Sequence, residues 1–256
     1  MKRLAVNSTR NIVSTKQKYN PNYKMIKAIL MDVGGVILNE DELYEDYFGF
    51  VKEKLRQSGV AFTDEDFNKA VKQCILNFEP YFTKSLVCSF IEPGEKRCDD
   101  IVSAANRHVK DWAIKHRQQL NPGIDEVLKT LSKNYMIALA GNQPSTVKDV
   151  LKEHGLLDYF TANDVSEDIG KAKPDPGFFN YILQKLGVKN YEAIMIGDRL
   201  DNDIIPAKKL GMMTILVKLG AYAILEPRNP GEIANAVVRT VSELPGAVAD
   251  IVRQNA

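Results

Sequence analysis

The sequence predicts an α/β fold, a three-layer, doubly wound parallel sheet that carries an inserted helical domain. Three observations predict it. Short apolar runs bounded by glycine-containing turns recur along the chain, as is typical of buried parallel strands. The segments between these runs have apolar residues at helical spacing, and residues 41–118 have helical spacing but no run of the strand type. Strands that alternate with helices build a doubly wound sheet.

Four mostly apolar runs are the predicted strands. The first ends in Asp32, Val33 and two glycines, the second in Gly141 and Asn142, and the third in Gly197 and Asp198. Their lengths suit strands that are buried on both faces of a sheet. The four runs are residues 26–31, 135–140, 193–196 and 214–217.

Amphipathic helices are predicted between the strands, where apolar residues recur every three or four positions. Pro144 and Pro176 stand where the first turn of a helix tolerates proline. The apolar positions are Ile124, Val127, Leu128 and Leu131, then Val147, Val150 and Leu151, and then Phe178, Phe179, Ile182, Leu183 and Leu186.

Residues 41–118 are predicted to form a helical insert directly after the first strand. The α/β core then consists of residues 25–40 and 119–256. The helical positions of the insert are Leu43, Tyr47, Phe50, Val51 and Leu55, then Phe67, Ala70, Val71 and Cys74, and then Ile101, Ala105, Val109, Trp112 and Ala113.

Residues 1–24 differ in composition from the rest of the chain. They contain six basic residues and no acidic one. Such a segment is compatible with a disordered tail, with a transit peptide, or with translation that begins at Met25. We expect a disordered or dispensable N-terminal extension.

The charge balance of the chain excludes some classes of partner. Lys and Arg number 34 against 33 Asp and Glu, which leaves no overall field to attract nucleic acid or an anionic membrane. No apolar run approaches the ~18–20 residues that span a bilayer. Three cysteines without a C-x-x-C spacing argue against a disulfide scaffold and a zinc site, and predict a cytoplasmic protein.

Polar residues follow the ends of the predicted strands, which is where ligands bind in open α/β sheets. They offer carboxylates for a hard cation and a lysine for an anion, a combination that suits phosphoryl transfer with Mg²⁺. Each cluster alone is also explained by a tight turn or a helix cap, but their joint order is harder to explain that way. The clusters are Asp32 with Gly34 and Gly35, then Gly141 and Asn142, then Lys173 with Asp175, and then Gly197 and Asp198 with Asp201, Asn202 and Asp203.

These segments resemble the motifs of the haloacid dehalogenase (HAD) superfamily. The matching segments are residues 28–38 (AILMDVGGVIL), 137–142, 170–179 (GKAKPDPGFF) and 194–212 (IMIGDRLDNDIIPAKKLGM), and the resemblance extends from Met25 to about Leu244. It implies a Rossmann-like core and a C1-type helical cap made by the insert. Most members of the family are Mg²⁺-dependent phosphatases that act through an aspartyl-phosphate. The chain is therefore expected to hydrolyse a small phosphorylated metabolite.

The resemblance also implies roles for individual residues. Asp32 is the expected nucleophile, and Lys173 neutralises Asp32 and the transferring phosphoryl group. Mg²⁺ is expected at the Asp32 carboxylate, the Gly34 carbonyl and the Asp198 carboxylate, with Asp203 close behind. Lys173, Gly141 and Asn142 are the expected contacts of the phosphoryl oxygens.

Two positions depart from the usual pattern of the family. The first motif is usually Asp-x-Asp, in which the second Asp is the general acid and base, and here that position is Gly34. The family usually has Ser or Thr where this chain has Gly141. Acid–base groups typically contribute about 10²–10⁴-fold to a rate. The alternative is a catalytically impaired protein that binds a phosphorylated ligand as a regulator, and a transferase, mutase or dehalogenase on the same scaffold is less favoured.

Overall fold

The computed structural model of the chain describes residues 25–255, so the predicted extension of residues 1–24 lies outside the described residues. The strands are β1 (Ala28–Met31), β2 (Leu38–Asn39), β3 (Gln119–Leu120), β4 (Met136–Leu139), β5 (Phe160–Ala162), β6 (Ala193–Gly197), β7 (Met213–Val217) and β8 (Ala236–Val238). The helices are α1 (Asp41–Gln57), α2 (Asp64–Leu76), α3 (Phe82–Cys88), α4 (Lys96–Lys115), α5 (Ile124–Leu131), α6 (Val147–Glu153), α7 (Ser166–Ile169), α8 (Pro176–Leu186), α9 (Ile205–Lys209) and α10 (Leu244–Gln254).

The main sheet has six parallel strands in the order β5-β4-β1-β6-β7-β8. Helices α5, α6 and α10 cover one face, with Leu128 and Ile251 among the buried residues of that layer. Helices α8 and α9 cover the other face, where Phe178 and Phe179 are fully buried. The three layers confirm the predicted fold class.

The two edge strands were not predicted from the sequence. Each of β5 and β8 has only three residues, and Thr161 and Val237 at their centres are exposed. A three-residue strand is too short to produce a recognisable alternation of apolar and polar positions. The helix α6 also begins later than expected, so Pro144 precedes its first turn, whereas Pro176 is the first residue of α8.

The insert between β2 and β3 is helical, and no strand occurs within residues 41–118 of the described chain. Its helices α1–α4 pack around an apolar cluster of their own, which includes Leu55, Phe67 and Leu86. A separate cluster joins the insert to the core, where Ile75 of α2 packs with Leu200 and other core residues. The short antiparallel pair of β2 and β3 connects the two parts of the chain at the base of the insert.

The register of the central strands determines which loops meet. Met31 at the end of β1 is paired with Leu139 of β4 on one side and with Ile196 of β6 on the other. The residues that follow these three strands therefore emerge side by side at the carboxyl edge of the sheet, where ligands bind in this class of fold.

Two further properties bear on the environment of the protein. Within residues 25–255, no helix combines the length and the apolar character that crossing a membrane requires. Cys74, Cys88 and Cys98 are all free thiols.

Candidate active site

Three carboxylates and one lysine form a buried cluster at the carboxyl edge of the sheet. Asp32 follows β1, Asp198 follows β6, and Asp203 lies in the single helical turn that comes next. The exposed fractions of these three residues are 7%, 4% and 0%, and that of Lys173 is 5%. One oxygen from each carboxylate lies within 4.8 Å of the others. The structure thus brings together the residues for which the sequence predicts the nucleophile, the metal site and the neutralising lysine.

Lys173 pairs with two of the carboxylates at once. Its Nζ lies 2.8 Å from Oδ1 of Asp32 and 2.6 Å from Oδ1 of Asp203. Burial by itself lowers the pKa of Lys173, but the charges of Asp203 and Asp32 outweigh it, so the pKa lies above its ordinary value. The ammonium group therefore stays charged at every physiological pH.

Asp203 is held from two sides. Its Oδ1 accepts a hydrogen bond from Lys173, and its Oδ2 accepts one from the backbone N–H of Arg199 at 3.0 Å. Gly197 makes room for it, because a β-carbon at this position would overlap the Asp203 carboxylate. Both oxygens thus have donors, and Asp203 supports Lys173 within the cluster of carboxylates that could hold a metal ion. Its place among the metal-binding residues stays a prediction.

Asp198 has an uncompensated carboxylate. Among the described residues, its side chain has no hydrogen-bond or ion-pair partner. Burial raises its pKa well above the ordinary value, and the charges of Asp32 and Asp203 raise it further. The loop of Gly35 approaches it closely. Gly35 has a φ of +70°, and a β-carbon there would lie 2.8 Å from Cγ of Asp198, so that only glycine fits.

The donor set fits a hard divalent cation. Buried carboxylates with excess negative charge and no internal donor are the oxygen ligands that Mg²⁺ takes. Asp32 and Asp198 offer such oxygens, and the carbonyl of Gly34 accepts no backbone hydrogen bond within the described chain. These three groups are the ones that would hold the ion.

Replacing Asp198 by Asn should stabilise the metal-free protein and remove its response to Mg²⁺. The neutral amide relieves repulsion among the buried carboxylates, so we expect the Tm in EDTA to rise by about 2 °C or more. The wild type should gain stability when Mg²⁺ is added, because the ion binds only the folded state. Thermal unfolding with EDTA and with Mg²⁺ measures both effects, and Asp250→Asn on an exposed helix is the control. An Asp198→Asn protein that Mg²⁺ stabilises as much as the wild type would contradict this site.

The side chain of Asn142 is hydrogen-bonded to the loop of Lys173. Its side-chain Nδ2 donates to the carbonyl of Lys173 at 2.9 Å, and its Oδ1 accepts from the backbone N–H of Lys173 at 2.8 Å. The side-chain amide thus anchors the loop that carries the lysine. In the described chain, the backbone N–H groups of Gly141 and Asn142 have no backbone acceptor, so both are available as hydrogen-bond donors.

At both positions that depart from the family pattern, a neighbouring side chain occupies the space that a side chain there would need. A β-carbon on Gly141 would lie 2.7 Å from Cγ2 of Val33, so the valine occupies the space of a side chain at 141. A β-carbon on Gly34 would lie 2.8 Å from Cδ and 2.9 Å from Oε2 of Glu40, and closer still to Oε1. The carboxylate of Glu40 thus occupies the space beside Gly34. Burial raises the pKa of Glu40 to about 7, and the charge of Asp32 contributes in the same direction.

Sequence reasoning missed Glu40 and the aromatic residues around it. Tyr44 of α1 meets Tyr222 edge-on, with ring centroids 6.3 Å apart, and the guanidinium of Arg199 lies over the Tyr222 ring at 4.6 Å. These residues come from the insert and from two different core loops, so no local spacing indicates them. Together with Asp198 and Glu40, the two tyrosines line a cavity of about 50 Å³.

The chain is similar to a known family and to several known proteins and structures. A model described as haloacid dehalogenase-like hydrolase matches residues 26–211, which include all of the carboxylates and the lysine of the site. The glyceraldehyde 3-phosphate phosphatase of Methanopyrus kandleri is 26% identical over 238 residues, which cover 90% of this chain and 98% of the relative. The phosphoglycolate phosphatase of Vibrio vulnificus is 37% identical over 115 residues, 44% of this chain and 50% of the relative. A HAD phosphatase structure from Thermococcus onnurineus is 25% identical with a TM-score of 0.56, covering 87% of this chain and 98% of that one.

Proposed function

The chain belongs to the haloacid dehalogenase-like hydrolases and is a phosphatase of that family, and we propose that it hydrolyses a small phosphorylated metabolite with Mg²⁺ and through an aspartyl-phosphate on Asp32. One observation carries this proposal: a buried carboxylate nucleophile shares its pocket with a lysine and two more carboxylates. Such a set stabilises a phosphoryl group and a cation together.

Asp32 is placed to attack phosphorus. Its Oδ1 accepts hydrogen bonds from Lys173 and from the N–H of Val33 at 2.7 Å, which orients the carboxylate. In the described chain its Oδ2 has no hydrogen-bond partner and is free for the phosphoryl group or the cation. When bound, Mg²⁺ supplies Lewis-acid neutralisation of the phosphoryl oxygens.

Lys173 reduces the electrostatic barrier to the attack. An anionic carboxylate repels an anionic phosphate unless nearby positive charge offsets both. Lys173 supplies that charge in a water-poor site, and Asp203 and the amide of Asn142 hold it in place. The backbone N–H groups of Gly141 and Asn142 supply donors to the phosphoryl oxygens.

The proposed substrates are small phosphate monoesters. Relatives of the chain are named for glyceraldehyde 3-phosphate and for phosphoglycolate, which are short phosphorylated compounds. The cavity beside Asp198 has a volume of about 50 Å³ and is lined in part by Tyr44 of the insert. A site of that size favours a short organic group over a bulky one. We propose that the insert of residues 41–118 acts as the cap over a core of residues 25–40 and 119–256. We also propose that the protein works in the cytoplasm, because free thiols suit a reducing compartment.

The test is phosphate release from a panel of phosphorylated compounds. The panel contains phosphoglycolate and glyceraldehyde 3-phosphate as short esters and hexose phosphates and nucleotides as larger ones. We expect release from the short esters that stops in EDTA and returns with Mg²⁺. Activity that persists in EDTA would contradict the metal requirement. A folded protein that releases phosphate from no compound would instead favour the ligand-binding alternative.

A further inference from the structure

The reaction requires a proton that none of the cluster residues is free to carry. When a phosphate ester is cleaved, the leaving alkoxide is strongly basic and needs a general acid. Asp32 is occupied with the attack, and Asp203 has donors on both oxygens. Lys173 is held between two carboxylates, and Asp198 is the carboxylate suited to the cation.

Two further carboxyl groups, Glu40 and Asp41, line the cavity beside the cluster, and Asp41 accepts a hydrogen bond from Nδ2 of Asn39. Glu40 is the one that lies beside the nucleophile loop. Its carboxylate lies beside Gly34, which is the second residue after Asp32. It occupies the space that a side chain at position 34 would otherwise fill. It also lines the same cavity as Asp198. Glu40 lies next to the loop of the nucleophile, and none of the roles described for the buried cluster falls to it.

The fold holds the backbone of Glu40 in place while leaving its carboxylate free. Glu40 follows β2, whose residue Leu38 is paired with Leu120 of β3, and it precedes the first residue of α1. The side chain forms no cap for that helix, although Glu40 stands at the cap position. Among the described residues, its carboxylate has no hydrogen-bond or ion-pair partner. Within the described chain, its position is therefore not explained by a hydrogen bond, an ion pair or a helix cap.

We propose that Glu40 is the acid–base group of the reaction and replaces the side chain that Gly34 lacks, a role that rests on the proposed function. As an Asp32 oxygen forms its bond to phosphorus, the bond from phosphorus to the ester oxygen breaks. The protonated Glu40 gives its proton to that oxygen, and the alcohol leaves. Water then attacks the phosphorus of the aspartyl-phosphate and passes a proton to the Glu40 carboxylate. The Asp32–phosphate bond breaks, and inorganic phosphate, the Asp32 carboxylate and the protonated Glu40 remain.

The first test is Glu40→Gln on two leaving groups, with Glu42→Gln on the exposed first turn of α1 as the matched control. With phosphoglycolate, kcat should fall by about 10²–10⁴-fold. With p-nitrophenyl phosphate, whose leaving group needs little protonation, the variant should show a rapid burst of one nitrophenolate per enzyme and then slow turnover. The burst arises because the first step survives while the attack of water has lost its base.

The outcomes separate this proposal from the proposed function. The role of Glu40 is overturned if Glu40→Gln has the wild-type kcat on both esters, or if it shows no burst on p-nitrophenyl phosphate. Mg²⁺-dependent activity of the wild type upholds the phosphatase in either case. A wild type without activity on any ester overturns the proposed function itself. The rise in Tm with Mg²⁺ should be the same in Glu40→Gln and wild type, and a loss of that rise would instead assign Glu40 to the cation.

A second test moves the carboxyl group back to position 34. Gly34 does not have a left-handed φ, so its backbone accepts a side chain, and the obstacle is the carboxylate of Glu40. The single variant Glu40→Ala removes that obstacle and should be slow. Adding Gly34→Asp to it should recover at least about tenfold in kcat, whereas a structural role for Glu40 predicts no recovery. A double variant no faster than Glu40→Ala would contradict the proposed replacement.

Discussion

Replacing Asp32 by Asn is expected to reduce phosphate release by about 10⁴-fold or more, because the nucleophile of a covalent mechanism is lost. The amide has nearly the same shape as the carboxylate, so the buried site should keep its packing. The measurement is phosphate release from the best substrate of the panel, together with trapping of the phosphorylated enzyme. Acid-quenched wild type incubated with labelled substrate should retain a hydroxylamine-sensitive phosphoryl group, and the variant should retain none.

Two comparisons make the result decisive for the mechanism. Asp250→Asn, an exposed carboxylate on α10, should retain wild-type activity and labelling. Thermal unfolding of both variants shows whether the fold is intact. An Asp32→Asn protein that still turns over substrate at more than a few per cent of the wild-type rate would contradict the aspartyl-phosphate.

Replacing Lys173 by Met should cost about 3–5 kcal/mol of unfolding free energy and abolish activity. The change leaves the buried carboxylates of Asp32 and Asp203 without their cation, and breaking a buried ion pair from one side costs this much. The exposed Lys171 lies two residues away, and Lys171→Met should change the unfolding free energy by less than about 0.5 kcal/mol. Urea unfolding in EDTA measures both variants. Equal unfolding free energies for the two would contradict the role of the buried lysine.

The stability of the Lys173→Met variant should change with pH in a defined direction. Burial raises the pKa of Asp203 to about 7, and the charge of Asp32 also raises it, whereas Lys173 opposes the rise. Without the lysine, the pKa of Asp203 should rise further, so the folded variant binds a proton that the unfolded chain releases above pH 4. Its stability should therefore increase as pH falls from 8 to 5. The loss of unfolding free energy relative to wild type should be smallest at the acidic end of that range.

The sheet and the position of the site follow from local sequence patterns. Runs such as those of β1, β4 and β6 are apolar on both faces, and with a glycine turn at its end such a short run indicates a buried parallel strand. Because such strands end at one edge, the sequence predicts that Asp32 and Asp198 meet there. The structure places their oxygens within 4.8 Å of each other and of Asp203. The edge strands escaped prediction because three residues do not establish a period.

The sequence by itself therefore determined the fold class, the family and the charged residues of the buried cluster, since each of these depends on residues adjacent in the chain. Only the tertiary structure decided how those residues are used. It shows that the amide of Asn142 anchors the Lys173 loop, that Val33 fills the space beside Gly141, and that Glu40 fills the space beside Gly34. These relations depend on where one loop packs against another. The volume beside a glycine is filled by whichever side chain the fold brings there, and no spacing along the chain encodes it.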